Sequence, residues 1–177
     1  MTQPPTSPVD LIDQLTGLAP GSATHALRHQ RDKVVAATQG SYDALFDPDL
    51  PGVSLPERLL VALYAARLTP SPALTAHYRG RLEQLGADAG QVRAAAEGAP
   101  TDIAEPRLRA MLEFTRKLIE KPVEGDKHAL QALPAAGLST PAVVTLAQLI
   151  AFLSYQVRLV AGIDALKSLN DAAGAQA

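Results

Sequence analysis

The sequence predicts an all-helical fold, and three observations carry that expectation. Apolar residues fill 47% of the 177 positions while aromatics fill only 4%, so the interior is built from Ala, Leu and Val, and Ala and Leu are the strongest helix formers. Apolar positions recur at spacings of three and four, and no stretch of useful length alternates with a period of two. Pro and Gly gather where those runs stop, at Pro20–Gly21, Pro48 to Gly52, Thr69 to Pro72, Pro122 and Gly137.

Taken in order, residues 1–20 are expected to be a flexible leader and a short helix from Val9 to about Thr16, capped by Ser7 and started by Pro8. A single helical domain is expected over 21–170, with a frayed tail over 171–177. It begins with one long helix, capped by Ser22 or Thr24, whose stripe Leu27, Val34, Val35, Thr38, Tyr42 and Leu45 is expected to be buried. Ser54-Leu55-Pro56-Glu57 has the spacing of a capping box with Pro in the first turn. The run it opens, through Leu68, is apolar on nearly all sides, which marks a central helix buried all round. Further helices are expected at Ala73 to Leu85, with Gly86 as cap, and at Asp88 to Glu97. Others follow from Glu105–Pro106 to before Pro122, from Gly125 to Ala136, and from Ser139-Thr140-Pro141 to beyond Ile163.

Composition narrows the function classes. With 16 basic and 18 acidic side chains the net charge is −2, whereas nucleic-acid binding draws on a basic excess that displaces phosphate counterions; no nucleic acid is expected. The apolar stretch around Val143 to Leu153 is broken by Thr145 and Gln148 and reads as too short to span a bilayer. Met1 to Pro8 is polar and Pro-rich, unlike a secretory signal. No membrane partner and a cytoplasmic location are the expectations. The chain contains no cysteine, which excludes disulfides, thiolate metal sites and cysteine nucleophiles.

Glu57 opening an apolar helix, a Pro-rich break, His77 on the next helix and the Gly86 cap follow one another in an order that resembles the carboxymuconolactone decarboxylase or AhpD-like superfamily. The later stretch Ala151-Phe152-Leu153-Ser154-Tyr155-Gln156-Val157-Arg158, preceded by Ala136-Gly137-Leu138-Ser139, resembles that superfamily's closing helix. The likeness runs from about Leu27 to Ile163 and rests on order and spacing together. It is similar to the cysteine-poor, peroxidase-related branch. The resemblance implies an AhpD-like bundle in which the Ser54–Leu68 and Ala73–Leu85 helices pack on the long last helix. It also implies assembly into a dimer, trimer or hexamer. In peroxidase members a C-x-x-C pair lies seven and four residues before the histidine; here those positions are Pro70 and Ala73. The thiol mechanism is therefore absent, while Glu57 and His77 match the rest of the proton relay.

Each candidate residue has a plainer reading beside the functional one. His77 is a general acid or base with a pKa near neutrality, or a helix residue hydrogen-bonded to a neighbour. Glu57 relays to it, or only closes the capping box. Arg58 holds an anionic substrate, or is solvated. Tyr78 orients a ligand beside His77. Tyr155, Gln156 and Arg158 border the pocket, or bond within an oligomer interface. Gln156 and Arg158, two residues apart, point about 200° apart on a helix, so one faces inward when the other faces out. His25 and His29, four apart, can share a face toward a metal, but no acid accompanies them on the helix and Arg28 lies between. They read as a solvated face, as does His128, and no metal or cofactor is expected. Two functions follow: small-molecule binding or cysteine-independent acid/base chemistry, and, alternatively, a non-enzymatic partner of a Cys-bearing paralogue.

Overall fold

The computed structural model describes residues 10–174. The structure is 77% helix, with nine α-helices, two short 3-10 turns and no strand among the described residues. The helices are α1 (Leu11–Thr16), α2 (Ala23–His29), α3 (Asp32–Leu45), α4 (Leu55–Leu68), α5 (Pro72–Gln84), α6 (Ala89–Glu97), α7 (Pro106–Glu120), α8 (Lys127–Ala135) and α9 (Thr140–Gly174). They fall into two compact units, one built from the chain up to Ser41 together with the stretch from Arg158 onward, the other from Tyr42 to Val157.

In the larger unit the capping box forms as the sequence predicts. The Ser54 side chain accepts the Glu57 N–H, and the Glu57 carboxylate accepts the Ser54 N–H at 2.7 Å. Behind it, every residue of α4 from Arg58 to Ala66 is buried, and the helix packs against α5, α6 and α7. Burying each Leu of this run contributes about 1.5–3 kcal/mol. Helix α7 buries Leu108, Met111, Leu112, Phe114 and Thr115 on one face. Gly52, at φ +87°, makes the turn into α4, and a side chain there would meet Ala142 of α9 at 3.4 Å. This is backbone that an L side chain rarely adopts.

The smaller unit is fastened by polar groups. The Leu11 N–H donates to Gln39 Oε1 at 2.8 Å. Lys167 Nζ donates to the Thr16 and Gly17 carbonyls at 3.2 and 3.3 Å, and Asn170 Nδ2 to Thr24 Oγ1 at 2.8 Å.

Four expectations need correcting. The cap of α1 is Asp10, whose side chain accepts the Asp13 N–H; Ser7 and Pro8 lie outside the described residues, as does most of the expected leader. The long helix from Ser22 is two helices, capped by Ser22 and broken at Gln30–Arg31. Gln30 keeps a near-helical φ of −62° and ψ of −17°, so the apolar period runs through the break without registering it. The stripe on these helices is not buried throughout either: Thr38 is buried, but Leu27 and Val34 are each 51% exposed. Finally, α9 reaches Gly174. Thr140–Asn170 is long and apolar enough, with mean hydropathy 1.6 in its best window, to cross a membrane by length and composition. The brevity inferred from Thr145 and Gln148 therefore does not hold. Of that window, 44% is buried inside the protein.

Candidate functional site

Tyr42, near the end of α3, and His77, Tyr78 and Arg81 on α5 come together in the larger unit. His77 and Arg81 are four residues apart and so share one face of α5. Arg81 Nη1 donates to the Tyr42 hydroxyl oxygen at 2.7 Å, and that hydroxyl lies 2.7 Å from His77 Nε2. A guanidinium is donor only, so the Tyr42 oxygen accepts from Arg81 and its proton points to His77. Nε2 is then the acceptor, which assigns the ring proton to Nδ1.

The charges agree with this direction. Burial, and after it the Arg81 cation, lower the His77 pKa to about 4, so the imidazole is neutral at pH 7. Burial raises the Tyr42 phenol, partly offset by Arg81's charge and hydrogen bond. The phenol therefore keeps its proton. With the base lowered and the phenol raised, internal proton transfer from Tyr42 to His77 is uphill. At rest the pair is neutral beside a fixed cation.

Aromatic rings wall the group. Tyr42, Phe46 and Tyr78 follow one another as tilted rings, with centroids 4.9 Å apart for Tyr42–Phe46 and 5.4 Å for Phe46–Tyr78. Arg81 Cζ stands 5.6 Å from the Tyr42 ring centroid and 5.4 Å from that of Phe46, within cation–π range. His77 meets the edge of Tyr78 at 5.1 Å. Tyr78 is fully buried, and its hydroxyl donates to Gln156 Oε1 at 2.5 Å; burial pushes that phenol well above its ordinary range. Gln156 is also fully buried, and its Nε2 has no hydrogen-bond partner.

The other predicted residues lie elsewhere. Glu57 Oε2 accepts from the Ser54 N–H and Oγ, and Oε1 accepts from Arg107 Nε at 2.8 Å. Burial by itself raises this carboxyl, but the bonds from Arg107 and Ser54 outweigh it and hold the pKa below the usual value. Arg107 also donates to the Gly137 and Gly52 carbonyls. The hydrogen bonds of Glu57 therefore do not reach His77; the partner of His77 is Tyr42. Arg58, expected to be solvated or on substrate, is fully buried. Its guanidinium donates to the Leu45, Asp47 and Ser54 carbonyls at 2.6, 2.9 and 3.4 Å, which closes the loop between α3 and α4. Those donors are taken by backbone. Tyr155 and Arg158 are exposed while Gln156 faces inward, the opposition that their spacing predicts. His128 is exposed.

A recess of about 450 Å³ lies at the α4–α5 connection, lined by Ala66, Arg67, Pro70, Ser71, Thr75 and Arg79 among others. His77 does not line it.

Two members of the site, Tyr42 and Arg81, escaped the sequence reading. The i,i+4 spacing of Arg81 from His77 was the available signal; Tyr42 lies 35 residues from His77 and gave none beyond its place in the α3 stripe. No family model matches the sequence, and no curated protein matches it.

Proposed function

We propose that the protein binds a small anionic molecule beside Arg81 and performs cysteine-independent acid/base chemistry through Tyr42 and His77, on an AhpD-like scaffold. The observation that carries this is the chain Arg81 to Tyr42 to His77, two 2.7 Å hydrogen bonds long. All three residues are partly exposed. An anion beside Arg81 cancels the charge that helps depress His77, so His77 becomes the stronger base when the ligand arrives. Tyr42 then passes its proton to His77 Nε2 as it takes one from the ligand, and His77 returns that proton when the ligand is reprotonated. The resemblance to a superfamily containing decarboxylases supports the class of chemistry, although fold alone does not fix activity.

The test is deuterium exchange from D2O into a panel of small carbonyl-bearing carboxylates, followed by proton NMR, for the wild type, Tyr42→Phe and His77→Gln. Exchange above background that falls at least tenfold in both variants supports the reading. A panel in which no compound exchanges, or in which the variants match the wild type, overturns it.

A second reading, a homo-oligomeric or partner subunit without chemistry of its own, is favoured by exposed apolar side chains. In the smaller unit Leu27, Val34, Leu166 and Leu169 are 51%, 51%, 37% and 68% exposed, and in the larger one Val144 and Tyr155 are 51% and 42% exposed. Helices that expose such side chains gain by burying them against another subunit. Native mass spectrometry decides it: a whole multiple of the chain mass supports assembly, and a lone chain at micromolar concentration removes the homo-oligomer.

A further inference from the structure

We infer that Asp13, His25 and His29 form a binding site for one divalent transition cation of the zinc class. The i,i+4 spacing puts both imidazoles on one face of α2, where they stack with centroids 4.1 Å apart and planes 18° apart. The acid that the sequence pattern lacks comes from α1. Asp13 Oδ2 lies 2.7 Å from His29 Nε2 and 3.8 Å from His25 Nε2, and all three ligand atoms lie within 4.8 Å of one another. Two ligands each about 2.1 Å from one ion stand at most about 4.2 Å apart. Both separations to the carboxylate meet that bound, and the near-parallel rings, both partly exposed, turn so that their two lone pairs converge on the ion.

The surroundings hold Asp13 for this task. Its other oxygen, Oδ1, accepts from Arg28 Nη1 at 2.8 Å, and Arg28 Nη2 lies 3.0 Å from Asp10. Asp10 therefore balances the guanidinium charge, and Arg28 fixes the carboxylate with Oδ2 toward the two rings. Such outer hydrogen bonds orient metal-ligating carboxylates. Arg28 Nη1 also stands 3.3 Å from His29 Nε2; as a donor only, it cannot ligate, and that contact yields when the ion enters. The hydrogen bond between His29 Nε2 and Asp13 Oδ2 is carried by one proton, and a bound ion takes that proton's place.

The donor set selects the ion. Two imidazole nitrogens with one carboxylate oxygen suit zinc, nickel, cobalt or copper, whereas magnesium and calcium take oxygen. Side chains 23%, 29% and 14% exposed, for His25, His29 and Asp13, leave room for water in the fourth position. The site lies wholly in the smaller unit and owes nothing to His77.

The test uses the full chain, freed of any affinity tag and stripped with chelator, titrated with zinc chloride by calorimetry. The expected result is one zinc per chain, no binding of magnesium chloride, and visible d–d absorption when cobalt replaces zinc. His25→Ala and His29→Ala should each weaken zinc binding about tenfold or more, while His128→Ala leaves it unchanged. The His25 backbone N–H donates to Ser22 Oγ, a bond that alanine keeps, while its imidazole lies 3.8 Å from Asp13, so His25→Ala is the variant least disturbing to the fold; circular dichroism without metal checks that. Absence of zinc binding, or wild-type affinity in a folded His25→Ala, overturns the inference.

Discussion

In the unit built from Tyr42 to Val157, His77 meets a phenol and a guanidinium, and its one described side-chain hydrogen bond is to Tyr42. In the unit built from the chain's two ends, His25 and His29 face a carboxylate whose far oxygen is already held by Arg28. The same side chain therefore stands beside a cation in one place and, in the other, beside an anion and an arginine whose charge Asp10 and Asp13 share. A neutral imidazole under a fixed positive charge favours a negative ligand; a pair beside an anchored carboxylate favours a positive one. The choice of counter-group, more than the histidine, sets which class of ligand each cluster can take.

The comparison extends to arginines, and the largest expected effect lies there. Arg58→Met removes the buried guanidinium whose donors satisfy the part-buried Leu45, Asp47 and Ser54 carbonyls and should lower unfolding free energy by about 3 kcal/mol or more. Arg81→Met, on the half-exposed side, should cost about 1 kcal/mol or less. Urea denaturation of both separates the arginine that holds the fold from the one that serves the site; equal losses would dissolve that distinction.

Next in size is the pH dependence carried by His77. Its folded pKa, about 4, lies below the ordinary 6.5, so the unfolded chain takes up the proton first. The contribution is full above pH 6.5 and is lost as pH falls from 6.5 toward 4, by about 2 kcal/mol after allowing for partial exposure. Denaturation at pH 7 and pH 4.5 should show that loss in the wild type and a smaller one in His77→Gln. A variant with the wild-type slope would assign the effect to other groups.

Tyr78→Phe should cost about 1–2 kcal/mol, because Gln156 Oε1 then loses its buried donor. Glu57→Gln should cost about as little as Arg81→Met, about 1 kcal/mol, since its bridge to Arg107 is partly solvated. The depressed Glu57 pKa makes that contribution present above the ordinary carboxylate pKa and lost as pH falls through the folded value, so the variant and wild type should converge in strong acid. Thermal melts against pH read both.

How much of this was legible depends on how local the cause is. Ser54 and Glu57 are three apart, and their reciprocal bonds follow from that spacing alone. The apolar all-round run of α4 likewise predicts its burial. Gln30 breaks a helix without leaving helical backbone, so no residue type marks it. Arg58 is buried against backbone carbonyls, which every residue has and no sequence pattern displays. Asp13 and His29 are 16 residues apart, and Tyr42 and His77 are 35 apart; only the fold joins them. Arg81, four residues from His77 on the same helix, was within reach of a local reading.

The smaller unit also has a consequence for the order in which the chain matures during synthesis. Lys167 reaches the Thr16 carbonyl across 151 residues, and Asn170 reaches Thr24 across 146. At about 5–20 residues per second, α1 and α2 emerge from a ribosome roughly 8–30 s before these partners exist. The stretch from Tyr42 to Val157 is contiguous and can assemble in the meantime. During that interval α1 and α2 have each other, through Arg28, Asp10, Asp13 and the two histidines, and the Leu11–Gln39 bond to α3, to keep them from fraying or from pairing with a neighbouring nascent chain.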